Sequence, residues 1–305
     1  LTDALPYGKG VVLEKIVTLA NRGYRLRFLA MERSLRRSGC DLPLWVIPYD
    51  DDLFELPEGA TWWRDDAVIK WLQAAGAHPM MRKYQCLLTA RYQYVDGDVI
   101  FLRNPAVVLE NETGLVASCG HWHEAGHTVT PESAALLRRA STLWQRDVFN
   151  AGQFACDQAL YDREGLIATA SAPDHAATCL QLPYHDQPGL NLLVNLSGVP
   201  VHNLTLPPVR MESTWAGDYP DADYAATWTE KARAPYLIHW AGCDMAQPRP
   251  IDRLFLDYLT PDERKEWDAS VAAQARRERR QRLGWRPMLR KAYRGGRAFL
   301  AELRG

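Results

Sequence analysis

The sequence has no apolar run approaching the ~20 residues that a bilayer-spanning helix needs. It has no CxxC pair either: Cys40, Cys86, Cys119, Cys156, Cys179 and Cys243 stand singly along a chain of 305 residues. That scatter excludes a zinc finger and argues against a disulfide framework, so the thiols read as reduced and mostly buried in a cytosolic protein. The chain shows no internal repeat, no low-complexity linker and no visible signal peptide. Its three sequons, at Asn111, Asn195 and Asn203, therefore read as chance matches. Net charge is only −1, which implies no polyanionic partner for the chain as a whole. Finally, the first apolar segment lacks a glycine-rich phosphate loop, since Asn21-Arg22-Gly23 follows it.

What is present is a core. Hydrophobic residues make up 47% of the chain and charged ones 24%, which suits a globular fold rather than disorder. The length allows one large α/β domain or two small ones. Val11–Ala20 is apolar and β-branched and reads as a strand. Tyr24, Phe28, Leu29 and Leu35 follow at helical spacing, with Gly39 as a C-terminal cap. Leu44–Pro48 is a short buried strand leading into the acidic turn Asp50-Asp51-Asp52. A helical pattern covers 60–78, and Pro79 opens a second helix, PMMRKYQCLLTA. Tyr92–Val95, Gly114–Ser118 and Tyr236–Trp240 read as further strands, and Asp186 with Pro188 starts a helix through Leu190, Leu193 and Val194. Strands alternating with helices over the first 120 residues predict a doubly wound, mostly parallel sheet, with its ligand beyond the carboxyl ends of the strands.

That rule draws attention to Asp96-Gly97-Asp98, which ends the strand Tyr92–Val95. Two carboxylates one residue apart can converge on a hard divalent cation such as Mg²⁺ or Mn²⁺. The same three residues would also make a hairpin turn. His239 ends another apolar strand in Tyr236-Leu237-Ile238-His239-Trp240-Ala241-Gly242, where the same rim offers a third ligand.

With these segments in order, residues 11–250 resemble the nucleotide-sugar glycosyltransferases of the GT-A fold, in particular the retaining family 8 enzymes. The resemblance implies a Rossmann-like mixed sheet flanked by helices. It places the nucleoside on the first strand and its loop, at Thr18, Ala20, Asn21 and Tyr24, with Asp50 as a further hydrogen-bonding candidate, although Asp50–Asp52 would equally be a solvated acidic turn. Arg82 and Lys83 stand where the family carries a cationic residue before its DxD motif. Asp96, Asp98 and His239 match the metal ligands, and Asn150, Ala151 and Gly152 match an asparagine-small-glycine turn. Asp186 and Gln187 match the pair beside the sugar's anomeric carbon; Asp186 would also serve as an N-cap, and a second Asp-Gln occurs at Asp157-Gln158. One departure concerns the lysine-proline that normally follows the histidine and glycine. Position 245 is Met, and Arg249 within Gln247-Pro248-Arg249-Pro250 is the nearest substitute for holding the departing diphosphate.

The implied activity is transfer of a sugar from a nucleotide-diphosphate donor, a UDP-sugar, with Mn²⁺ or Mg²⁺, to a glycan or glycolipid acceptor, with retention. Alternatives are an inverting GT-A transferase, a sugar-nucleotidyltransferase, or a catalytically silent carbohydrate-binding protein on the same fold. The domain division that follows is a transferase domain over 1–260, its nucleotide-binding part about 11–118 and its acceptor and catalytic part about 119–260, then a basic helical extension over 261–305.

Two segments stand apart. His121-Trp122-His123-Glu124-Ala125-Gly126-His127 contains HExxH, the zinc-peptidase signature when it lies on a helix. Gly126 inside it and the β-branched run after it weaken such a helix, and no third ligand follows at a familiar spacing. In the transferase reading His121, Trp122 and His123 face the acceptor; a polar surface loop is the plainer alternative. Beyond Val271 the charged residues are Arg276, Arg277, Arg279, Arg280, Arg282, Arg286, Arg290, Lys291, Arg294, Arg297 and Arg304 against Glu278 and Glu302. Trp285, Met288, Leu289, Ala292 and Tyr293 share one helical face there. That pattern suits a peripheral contact with the anionic inner face of the cell membrane, or a helix packed on the domain. Nucleic acid would use similar charge, but no recognition motif accompanies it.

Overall fold

The computed structural model describes residues 12–181, 186–246, 248–277 and 279. Nine strands form two sheets. β1 (Lys15–Ala20) is buried at every position, as its Ile16-Val17-Thr18-Leu19 sequence requires, and lies parallel to β2 (Leu44–Pro48) on one side and β4 (Tyr92–Val95) on the other. β3 (Ala60–Trp62) extends the sheet beyond β2. Past β4 come β7 (Gln153–Cys156), β6 (Leu115–Ala117) and β8 (Val201–Asn203), giving the order β3-β2-β1-β4-β7-β6-β8. Only β7 runs against its neighbours, so the sheet is mixed and mostly parallel, as expected.

β5 (Val99–Phe101) and β9 (Leu237–His239) pair antiparallel as a separate two-stranded sheet. The expected strand around His239 therefore exists but does not join the main sheet. Its register places Val99 opposite His239, which brings Asp98 alongside the histidine, and Trp240 N–H donates to the Asp98 carbonyl at 3.0 Å.

The helix Arg25–Arg37 follows β1, entered through a 3₁₀ turn that the Asn21 side chain caps by accepting from Tyr24 N–H. Gly39 ends it at φ +83°, a conformation only glycine adopts without cost. The helical expectation over 60–78 is corrected: β3 comes first, then a helix at Asp66–Ala74 whose N-cap is Asp65. The segment expected as an α-helix from Pro79 is a 3₁₀ helix, Pro79–Leu88. Every residue from Met81 to Leu87 is buried, so contacts on all sides, rather than one apolar face, set its winding.

The helix Gln187–Ser197 starts where the sequence indicates, with Pro188 in its first turn and Gly198 at φ +73° past its end. Asp186 makes no capping bond, however; its carboxylate points to Lys83 instead. Toward the C-terminus Trp240, Phe255 and Trp267 pack with Leu26 and Ala30 of the helix Arg25–Arg37. Helical residues 261–277 are thereby fastened to that helix, which Arg33 and Glu263 reinforce with paired hydrogen bonds of 2.5 and 2.8 Å. The apolar helical face expected over Trp285–Tyr293 lies outside the described residues, and among those described no helix is long and apolar enough to cross a membrane. All six cysteines are free, and five are buried.

Candidate active site

Asp96 leaves the carboxyl end of β4, Asp98 precedes β5 and His239 closes β9. Their ligand atoms lie within 4.8 Å of one another, and they form the one such group of three His, Cys, Asp or Glu side chains among the described residues. His239 Nε2 is 3.2 Å from Asp98 Oδ1 and 3.9 Å from Asp96 Oδ2.

Each ligand is held from behind. Asp96 Oδ1 accepts from the Tyr94 hydroxyl at 2.6 Å and from Lys83 Nζ at 3.2 Å. Asp98 Oδ2 accepts from Arg27 at 3.2 Å. His239 N–H donates to Thr214 O at 2.7 Å, which ties the histidine to the neighbouring segment 213–215. Burial pushes the Asp98 carboxyl up, but the hydrogen bond and charge of His239, with Arg27 nearby, outweigh it and hold the group at about 2. His239 is held above its ordinary value, because the two carboxylates overcome its own burial.

Gly152 shows why the asparagine-small-glycine turn belongs here. A Cβ at that position would fall 2.1 Å from His239 Cε1 and 2.7 Å from both Asp96 Oδ2 and His239 Nε2. The turn is clamped from the helix Gln187–Ser197. Asn191 accepts from Phe149 N–H and donates to Phe149 O, both at 2.9 Å, while Gln187 Oε1 accepts from Ala151 N–H at 3.3 Å. Asn150 closes the turn by accepting from Gly152 N–H at 2.8 Å. The missing side chain lets the His239 ring and the Asp96 carboxylate pack directly on the turn, and two carboxylates with an imidazole suit a divalent cation with mixed oxygen and nitrogen ligands.

Lys83 lies beneath this group, fully buried. Its ammonium is 2.7 Å from Asp186 Oδ2, 3.2 Å from Asp96 Oδ1 and 3.1 Å from Ala151 O. Burial disfavours its charge, yet the two carboxylates prevail and raise its pKa. The structure thus joins Asp186, expected at the sugar, to Asp96, expected at the metal, through one lysine that bonds only protein groups.

The other expected donor residues divide. Asn21 donates to Asp50 Oδ2 at 2.6 Å, and Asp50 Oδ1 accepts from Asp52 N–H at 2.9 Å, so Asp50 is tied down and not merely part of a solvated turn. Tyr24, on the same rim, lies 5.8 Å from the Tyr49 ring. Ala20 is the last residue of β1, and its carbonyl accepts from Tyr49 N–H at 2.9 Å. Thr18 is fully buried within β1, and its hydroxyl has no hydrogen-bond partner among the described residues. Arg82 is buried and donates to Pro48 O at 2.7 Å, away from the carboxylate triad. Arg249 is committed to Asp252 at 3.0 Å and to Ala216 O at 3.1 Å.

The HExxH reading is overturned. Trp122–His127 is a 3₁₀ segment broken at Glu124 (φ −105°, ψ 51°), and His127 Nε2 bonds the Glu124 carboxylate at 2.9 Å. The two histidines therefore do not sit one turn apart on an α-helix. His121 instead pairs with Asp218 at 3.0 Å and meets the Trp215 ring edge-on at 5.3 Å. Trp122 and His123 lie 5.7 Å apart. A cavity of about 540 Å³ opens against His121 and Trp122, and none of Asp96, Asp98 and His239 lines it.

Sequence reasoning missed Arg27, Tyr94, Asn191 and Trp215. Arg27 sits one helical turn past Tyr24, Tyr94 two residues before Asp96 in the same strand, and Asn191 four residues past Gln187; those offsets were the available signal. Trp215 had none.

Neither a family model nor a curated protein sequence matches the chain. Solved structures do. The bifunctional glycosyltransferase WbbM aligns over 88% of this chain with 13% identity and a TM-score of 0.52, and this chain spans about half of it, 52%. The glycosyltransferase GlyE of Streptococcus pneumoniae TIGR4 aligns over 85% of this chain with 15% identity and a TM-score of 0.45, covering 64% of its own length. The galactosyltransferase LgtC, solved with donor and acceptor sugar analogues, aligns over 85% of this chain and 95% of its own, with 15% identity and a TM-score of 0.47. At such identities the likeness bears on fold, and the weight falls on WbbM. The fold is a GT-A-type, Rossmann-like glycosyltransferase fold.

Proposed function

We propose that the protein is a metal-dependent glycosyltransferase that moves a sugar from a UDP-sugar to a glycan or glycolipid acceptor, with retention. The observation that carries this reading is the convergence of Asp96, Asp98 and His239 at the rim of a GT-A-type sheet, with the bare Gly152 beside them. Asp96, Asp98 and His239 would hold Mn²⁺ or Mg²⁺. Such an ion, when bound, supplies positive charge against the departing diphosphate.

The chain's own residues do the rest. Asn21, Asp50 and the Tyr24–Tyr49 ring pair offer fixed polar groups and an aromatic surface for the nucleoside. Lys83 fixes Asp96 and Asp186 relative to one another. Asp186 and Gln187 lie at a helix start beside the 150–152 turn; burial pushes the Asp186 carboxyl up against the pull of Lys83 2.7 Å away, and in its charged form it would favour positive charge developing on the sugar. Arg82 and Arg249 act through the groups they support. The Arg-rich segment 276–304 would hold the enzyme at an anionic membrane face on the cytoplasmic side.

The test is thermal melting with UDP, GDP, CDP and ADP, each with and without Mn²⁺, on the wild type and Asp98→Asn. A ligand that binds only the native state raises the melting temperature by mass action. A UDP shift that needs metal and vanishes in the variant supports the donor class and the metal site. A GDP shift in its place changes the donor, and no shift with any nucleotide removes the proposal.

A further inference from the structure

The cavity beside His121 lies outside the metal triad, yet it is physically joined to it. One wall is Gly120–Trp122, which leads off β6. The other includes Arg210–Ser213, and the chain continues from there into Thr214 and Trp215. Thr214 O accepts from His239 N–H at 2.7 Å, and the Trp215 indole donates to Ala241 O at 2.8 Å. Ser213 on the cavity wall is therefore followed directly by the residue that bonds the His239 backbone.

Trp215 is an exposed ring in a fixed place. Its relative exposure is 38%, but its indole N–H is bonded, its edge meets His121, and a Cβ on Gly217 would come within 2.4 Å of it. Nothing in the core requires an aromatic there. The ring is not on the cavity wall itself; it backs His121, which is, and so fixes where that imidazole sits.

The charges on the cavity wall are almost all spent. Glu212 pairs with Arg233 at 2.9 Å, and Arg233 also donates to Arg210 O. Asp218 accepts from Ser213 and pairs with His121. That leaves Arg210, whose guanidinium has no partner among the described residues. Its backbone is left-handed, at φ +54°, which costs a non-glycine residue free energy and recurs at ligand sites. The conformation is maintained by Arg210 N–H donating to Leu206 O at 3.0 Å and by the Arg233 contact to its carbonyl at 2.9 Å.

We propose that this cavity is an acceptor subsite for an anionic sugar unit, with Arg210 pairing its carboxylate or phosphate and the His121–Asp218 pair on its wall holding the ring, while Trp215, edge-on to His121, positions that histidine. The proposal deepens the transferase reading and rests on it. A planar guanidinium forms two parallel charge-assisted bonds to a carboxylate or a phosphate, stronger than the bonds it donates to neutral hydroxyls, so charge, more than ring shape, sets the selectivity.

The probes are methyl glucuronide, methyl glucoside and inorganic phosphate, titrated by ligand-observed NMR into the full chain with UDP and Mn²⁺, for the wild type, Arg210→Gln and Trp215→Ala. The expected result is methyl glucuronide bound at least tenfold tighter than the glucoside, with that preference lost in Arg210→Gln. Weaker binding of both sugars in Trp215→Ala, with the glucuronide preference kept, would confirm that Trp215 positions His121. Phosphate competing with the glucuronide would mark a general anion site at Arg210, and no competition would mark a carboxylate site. Equal binding of the two sugars, binding of neither, or a preference that survives Arg210→Gln overturns the proposal, and the wild-type sugar comparison decides it even where a variant misfolds. The metal-dependent UDP shift read on the same wild-type sample reports separately on the transferase reading, so either can fail alone.

Discussion

At the scale of single residues the site depends on one absent side chain and one buried charge. Gly152 has an ordinary backbone, so its requirement is space: a methyl group there would overlap His239 and Asp96. Gly152→Ala should cost about 1–3 kcal/mol in stability, as small insertions into packed sites do. Its effect on function should be larger, because the displaced imidazole is a ligand, and misplacement near 1 Å can lower rates on the order of 10²-fold. Melting curves with and without Mn²⁺ and UDP separate the two: the variant should fold and lose the metal-dependent shift. A variant that keeps the shift would show that the glycine is not at the metal. Lys83→Met makes the complementary test. It would leave Asp96 and Asp186 in the interior without their shared cation, and breaking a buried pair costs about 3–5 kcal/mol. Urea denaturation should show a loss of that size; a loss below about 1 kcal/mol, the level of an exposed pair, would mean that water reaches the lysine. Asp96, Asp98 and His239 were legible in sequence because each ends or begins a short apolar strand. Lys83 was legible as a cation but not as a buried one, since burial on every side of a 3₁₀ helix leaves no periodic trace.

At the scale of elements, the helical stretch 261–277 shows how a local signal acts through a distant contact. Thr260-Pro261-Asp262-Glu263 is a capping box: Glu263 accepts from Thr260 N–H at 2.8 Å, and Thr260 Oγ1 accepts from Glu263 N–H at 3.3 Å. The same Glu263 carboxylate takes both arms of the Arg33 guanidinium on the helix Arg25–Arg37. The Arg33 hydrogen bond pulls the carboxyl down to about 2, against a smaller upward push from burial. The sign follows directly. A carboxyl whose folded value is depressed stabilises the protein above its unfolded value of about 4.3, and that contribution disappears as pH falls toward the folded value. The stability gap between wild type and Glu263→Gln should hold steady above about pH 6 and close progressively between about pH 5 and about pH 2. A gap independent of pH, read from denaturation curves across that range, would show that packing of Trp267, not the ion pair, holds the element. The capping box was present in the sequence; its partner Arg33 was not, because a pairing across more than two hundred residues has no local signature. The pairing of β5 with β9 was hidden for the same reason. Two apolar strands announce themselves, but which sheet each joins depends on topology.

At the scale of the whole molecule, alternation of strands and helices made the parallel strands β2-β1-β4 legible, but not β3, whose segment read as helical. The reversed β7 was not, since a strand buried on both faces reads alike in either direction. Charge is distributed with a comparable division of labour. The chain nets −1, yet its last thirty-five residues are strongly basic, so the sheet-bearing part is acidic. Two like-signed surfaces repel, and an anionic membrane would repel the catalytic part while attracting the end of the chain. That opposition would orient the molecule as well as bind it, leaving the site free for a lipid-linked acceptor. Each Lys or Arg near such a surface contributes about 1 kcal/mol, so several acting together suffice for peripheral binding at about 0.1 M salt. Full-length protein should therefore co-sediment with phosphatidylserine vesicles and not with phosphatidylcholine ones, and detach at about 1 M salt, where screening shortens to about 3 Å. Replacing Arg286, Arg290, Lys291 and Arg294 together with Gln should abolish the binding. Equal binding to neutral vesicles would point to the apolar side chains Trp285, Leu289 and Tyr293 in place of charge. Binding to neither would return those arginines to solvent and leave the acceptor a soluble glycan.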